Sequence, residues 1–121
     1  MTWPGLRPWQ PYLGLVVWLP RDYYDEHDTH AGRPTVVVRV LQIERTCIVV
    51  TRTSQTGSKH RDDIFHPADP ALTCCDEPGV WQPWRWHRVA FGAYDDDELD
   101  ELEKMDELLL TRIIDAYERC S

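Results

Sequence analysis

The sequence lacks any long hydrophobic run: its apolar residues nowhere approach the roughly 18 consecutive positions a membrane-crossing helix needs. Its start, MTWPGLRPWQPYLG, has neither a continuous apolar stretch nor a small-residue cleavage site, so no secretory signal is read there and a cytoplasmic location is expected. Internal repeats are missing, and so is any linker that would split the chain into two folding units. A disulfide framework is also missing. The cysteines are Cys47, in a strand-like run, the adjacent pair Cys74 and Cys75, and Cys120. With no secretion signal, reduced thiols are expected.

What is present suits one modest core. The chain has 121 residues, of which 42% are apolar, which favours a packed single domain over disorder. The net charge of -8 is unevenly spread: residues 1–94 hold ten acids and ten bases, whereas residues 95–121 hold eleven acids and three bases. A neutral body with an acidic tail argues against broad nonspecific nucleic-acid binding, which relies on many phosphate contacts. It does not exclude an anionic ligand held by local groups.

Residues 1–12, rich in proline and tryptophan, read as an extended arm. LGLVVWLP, Leu13 to Pro20, reads as a buried strand, and RDYYDEHDTHAG, Arg21 to Gly32, as a long acidic loop. TVVVRVLQI and TCIVVTRT are two β-branched runs joined near Glu44-Arg45, the pattern of an antiparallel hairpin opened by Arg33-Pro34. SQTGSKHRDD is a polar loop, DDIFH a brief strand, PADPALTCCDEPG an irregular connection, and VWQPWRWHRVAFGAY a strand interrupted at Pro83. Leu99, Leu102, Leu109, Ile113, Ala116 and Tyr117 then recur at helical spacing. Two helix starts are open: Asp95, with Glu98 completing a capping box, or Asp106. A mainly-β (α+β) fold is expected, with a small, strongly bent barrel over residues 13–94 and an acidic C-terminal helix over 95–121.

The hairpin brings chemistry to one edge. The start of one strand faces the end of its antiparallel partner, so Arg33 shares an edge with Thr53 and Ser54, flanked by the two polar loops. A guanidinium fork beside hydroxyls suits a phosphodiester.

GLVVWLP, GRPTVVV and IVVTRTSQTG together resemble the MazF/PemK toxins, the ribonuclease members of type II toxin–antitoxin systems. Gly14 to Leu19 is similar to the family's first strand, Arg33-Pro34 to the opening of its second, and Thr53-Ser54 with Gly57 to the pattern after its third. The resemblance covers residues 13–57, and the C-terminal helix by position. It implies an SH3-like, CcdB/PemK-type barrel that forms a homodimer, is restrained by an antitoxin protein, and cuts single-stranded RNA without a metal or other cofactor. The ribose 2′-OH attacks the adjacent phosphate and leaves a 2′,3′-cyclic phosphate. In this pattern Arg33 stabilises charge and donates a proton, Thr53 orients the phosphate, and Ser54 assists. Tyr23, Tyr24, Gln55, Lys59 and His60, in the two loops, are candidate RNA-binding residues.

Alternatives stand beside these assignments. The acidic loop, with Asp22, Asp25, Glu26 and Asp28, would repel a phosphate chain, which keeps open a non-catalytic binding module for a protein or nucleic-acid partner. His27 and His30 with Asp25 and Asp28, and His60 with Asp62, Asp63 and His66, invite a metal reading, but their spacing matches no recognised site and solvated loops are expected. His60 or His66 could instead transfer a proton near the active edge. In WQPWRWHR, strand alternation would set Trp84 and Trp86 on one face and Arg85 and His87 on the other, as core or dimer-interface packing or as a base-stacking surface.

Overall fold

The computed structural model describes residues 10–20, 23, 32–57, 60–95 and 103–120. The expected arm lies outside the described residues except for its last three positions. Six strands form one antiparallel sheet: β1 (Leu15–Pro20), β2 (Gly32–Leu41), β3 (Thr46–Thr53), β4 (Ile64–His66), β5 (Gly79–Ala90) and β6 (Glu103–Lys104), in the order β4-β5-β3-β2-β1-β6. The sheet curls into a half-barrel, and one C-terminal helix, α1 (Glu107–Cys120), packs against it. No helix among the described residues is long and apolar enough to cross a membrane. All four cysteines are free thiols.

Both faces of the sheet are buried, which explains the unbroken β-branched runs in β2 and β3. One face carries Val16, Val36, Ile48, Val50 and Trp81 beneath Leu110, Ile113, Ala116 and Tyr117 of α1. The other carries Leu15, Val17, Leu19, Val37, Cys47 and Val49 beneath Phe91, Ala93 and Tyr94. One face alone, with solvent on the other, would have produced alternation of apolar and polar residues instead.

The β2–β3 register is Thr35–Thr51, Val36–Val50 and Val37–Val49, and an irregularity between Val37 and Arg39 then shifts it by one residue. Continued two residues outward, this register sets Arg33 opposite Thr53. The bulge absorbs the unequal distances of the two residues from the turn. On its other edge β3 pairs with β5, again in two segments: Val50 faces Trp86, but the next residue, Thr51, faces Gln82. Pro83, Trp84 and Arg85 are therefore extra residues in β5. Pro83 has no N–H to give the ladder, so the strand bulges where the sequence suggests an interruption, yet continues beyond it.

The bulge overturns the expected alternation around Trp84. Released from the ladder, Trp84 stacks on His60, with ring centroids 4.6 Å apart, and donates from Nε1 to Asp63 Oδ1 at 2.7 Å. Trp86 stays in register on the α1 face, edge-on to Tyr117.

The helix expected over 95–121 is shorter. Phe91–Asp95 is a 3-10 turn, β6 occupies Glu103–Lys104, and α1 begins only at Glu107. Asp106 is the cap: its Oδ2 accepts the N–H groups of Leu108 and Leu109 at 3.1 and 3.2 Å. Glu98 of the Asp95–Glu98 alternative lies outside the described residues, and a helix from Asp95 does not run on into α1 because residues 103–105 are committed to β1: Leu15 pairs with Lys104, and Met105 N donates to Gly14 O at 2.8 Å.

Candidate functional site

A cavity of about 570 Å³ opens at the mouth of the β2–β3 hairpin. Its walls come from three parts of the chain. β1 and β2 supply Trp18, Gly32, Arg33 and Pro34; the end of β3 and the turn after it supply Arg52, Thr53, Ser54 and Gln55. The connection before β5 closes the far side with Thr73, Cys74, Asp76 and Glu77.

The structure thus brings together Arg33, Thr53, Ser54 and Gln55 of the sequence-expected residues. Arg33 and Thr53 are each 7% exposed, whereas Ser54 and Gln55 are exposed. Thr53 Oγ1 accepts the N–H of Gln55 at 3.1 Å, which ties the turn to the strand end and leaves the hydroxyl proton to donate elsewhere. Beside them on the same sheet face, Thr51 pairs with Gln82, and both are buried.

Other expected residues lie elsewhere. Tyr23 packs against the core face that carries Leu15 and Val37 and does not line the cavity. His60 belongs to the Trp84 corner: its Nδ1 accepts Asp62 N–H at 3.1 Å, and its backbone N–H donates to Asp63 Oδ2. Tyr24, Lys59 and most of the acidic loop fall outside the described residues.

Sequence reasoning missed Arg52. By alternation it points away from Arg33 and Thr53, yet it is 4% exposed and borders the same cavity. Its Nε donates to His66 Nδ1 at 3.2 Å, and its Nη2 donates to His66 O at 3.0 Å and to Glu77 O at 2.8 Å. Gly79 makes this possible: a Cβ there would lie 2.6 Å from Arg52 Nη1 and 2.9 Å from Thr53 O. Arg52 therefore moors the connection carrying Asp76 and Glu77 to the end of β3. The signal in the sequence was an arginine between two threonines at a strand end, with a glycine opening the next long strand.

His66 is the hub of this mooring. Trp81 Nε1 also donates to its Nδ1, at 3.2 Å, so that nitrogen is an acceptor and the ring proton resides on Nε2, which donates to Asp69 Oδ2 at 3.1 Å. Burial pushes the His66 pKa below its ordinary value, and the Arg52 charge adds to this, against an opposing pull from Asp69. The folded state thus binds fewer protons here than the unfolded chain. Stability from this site is present above the unfolded pKa of about 6.5 and is lost as pH falls through the depressed folded value. Thermal melts of the wild type should show this loss below about pH 6.5, and His66→Gln should remove that component of the pH slope.

Two acids and two arginines border the cavity, so its charge is mixed. Cys74, on the wall, is held as a thiol: its hydrogen bond with Cys75 and its burial push its pKa upward. It is not set up as a nucleophile. The chain matches no family model and no curated protein.

Proposed function

We propose that the protein is a metal-independent endoribonuclease of the PemK/MazF type, on a small SH3-like, CcdB/PemK-type barrel, acting in the cytoplasm on single-stranded RNA. The observation that carries this reading is the approach of Arg33 and Thr53 across the hairpin mouth, on one wall of a cavity that reaches solvent. The ribose 2′-oxygen attacks the adjacent phosphorus. Its bond to phosphorus forms while the bond to the 5′-oxygen breaks; the 2′-OH proton passes to water, and the departing oxygen takes a proton from Arg33, which recovers one from water. Negative charge spreads over the phosphoryl oxygens, where the Arg33 guanidinium neutralises it and the Thr53 hydroxyl donates a hydrogen bond. Arg33, beside the departing oxygen, is also the proton donor of this scheme, and Ser54 assists at the turn. The nucleophile belongs to the substrate, so no metal-bound water is needed. A homodimer and a neutralising antitoxin protein complete the proposal.

The test is incubation of the pure protein with unstructured RNA in EDTA, followed by analysis of the product ends. Fragments ending in 2′,3′-cyclic phosphate and 5′-OH are expected; intact RNA, or cleavage only on adding a divalent metal, would overturn the mechanism.

A second reading has its own support. Arg33 and Thr53 are nearly covered, and Asp76 and Glu77 lie on the facing wall. Both features suit a non-catalytic module that grips a polar group of a protein or nucleic-acid partner. Binding of RNA without cleavage would favour it.

A further inference from the structure

We infer that the cavity also reads a base, and that it selects guanine next to the phosphate held by Arg33 and Thr53; this rests on the nuclease reading above. The carrying feature is Trp18, which lies on the cavity wall and is 36% exposed although its neighbours in β1 are covered. The indole packs closely on Gly32. A Cβ on Gly32 would lie 2.3 Å from its Cζ2 and 2.6 Å from its Cη2, so the six-membered ring rests directly over a residue that has no side chain. Trp18 pairs with Pro34 across the β1–β2 ladder, on the sheet face that also carries Arg52; Arg33 and Thr53 belong to the other face, and the cavity at the end of the sheet is lined by residues of both. A partly exposed indole on a cavity wall is a surface on which an unpaired base stacks.

Stacking alone accepts every base, and selection needs hydrogen bonds to the base edge. Asp76 and Glu77, both exposed, are the acidic residues that border the cavity. Carboxylates at neutral pH only accept. Guanine offers two adjacent donors, N1–H and the 2-amino group, to the two oxygens of one carboxylate. Adenine and cytosine offer an amino group beside an acceptor, and uracil offers one N–H between two carbonyl oxygens that a carboxylate repels. The cavity volume falls within the range of small-ligand sites, roughly 300–1,000 Å³, which suits one nucleotide and not a length of backbone. The mixed charge of the walls then has a purpose: the cationic side takes the phosphate and the anionic side takes the amino edge.

The experiment is calorimetric titration of the full chain with the four nucleoside 3′-monophosphates. Guanosine 3′-monophosphate should bind at least about tenfold more tightly than the uridine compound, the scale of one good base contact. The double variant Asp76→Asn/Glu77→Gln, altered only at exposed positions, should bring that ratio close to one without weakening uridine monophosphate. Trp18→Phe should preserve the order of preference, and Trp18→Leu should weaken all four nucleotides together. Equal affinities, a preference for uridine, no measurable nucleotide binding, or a guanine preference that survives in the double variant would each overturn the inference. The EDTA cleavage assay separates the two levels: cleavage with equal affinities leaves the nuclease standing without a base reader. No cleavage with guanine-selective binding removes the nuclease and retains the reader as a nucleotide-binding site.

Discussion

Arg33→Ala should lower the rate of RNA cleavage by a factor on the order of 10²–10³, the loss that follows removal of one preorganised charge-stabilising donor. The size of the effect follows from the setting. Arg33 is almost covered and borders the same cavity as Thr53, so its field is less screened by water than that of a surface arginine. Arg33→Lys should recover little of the rate, because an ammonium is a compact charge without the planar fork that spans two phosphoryl oxygens. Single-turnover cleavage under EDTA measures the chemical step, and thermal melts of the same preparations separate catalytic loss from unfolding. Growth on induced expression gives the cellular counterpart: arrest for the wild type, none for Arg33→Ala or Thr53→Ala. Undiminished cleavage by a folded Arg33→Ala protein would end the nuclease proposal.

The second large effect is on stability. Arg52→Met keeps much of the side-chain length but removes the donors to His66 Nδ1, His66 O and Glu77 O. His66 O is then left short of a partner, whereas His66 Nδ1 keeps the Trp81 donor, and a loss of about 1–3 kcal/mol is expected, the cost of a buried acceptor left unsatisfied. For a domain of this size that is a fall in Tm of roughly 4–15 °C. Circular dichroism melts measure it directly, and a Tm within a few degrees of wild type would show that the mooring contributes little. The same variant should loosen the Asp76–Glu77 wall, so nucleotide affinity should drop even at temperatures where the protein remains folded.

These two arginines mark how far the sequence could be followed. Arg33 was legible because its position depends on local rules: a proline opens the strand, a short turn closes the hairpin, and antiparallel pairing brings the mouth residues together. β3 falls at Thr46–Thr53, as its β-branched run indicates. Arg52 was not legible, because what it binds lies 14 to 25 residues away, in a connection whose prolines fit no regular element. Trp84 failed for a related reason. Strand alternation holds only while the ladder is intact, and Pro83 releases three residues from it. The helix start was decided by contacts that periodicity does not reveal: Lys104 and Met105 are drawn to β1, and only Asp106 remains free to cap. Trp18 had the signal of a buried strand, and its exposure became visible only once Gly32 was seen beneath it.

The sheet order bears on how the protein assembles. β2 and β3 are joined by the residues 42–45 and close as a local hairpin, on a timescale of about 1–10 μs. β5, the other neighbour of β3, arrives only after the chain has passed through residues 54–78, so that pairing must first overcome the entropy of a long loop. Arg33 and Thr53 are thus neighbours early in folding, while the wall with Asp76 and Glu77 is laid down late. A nascent chain held at the hairpin stage has the Arg33–Thr53 side of the cavity without the Asp76–Glu77 side.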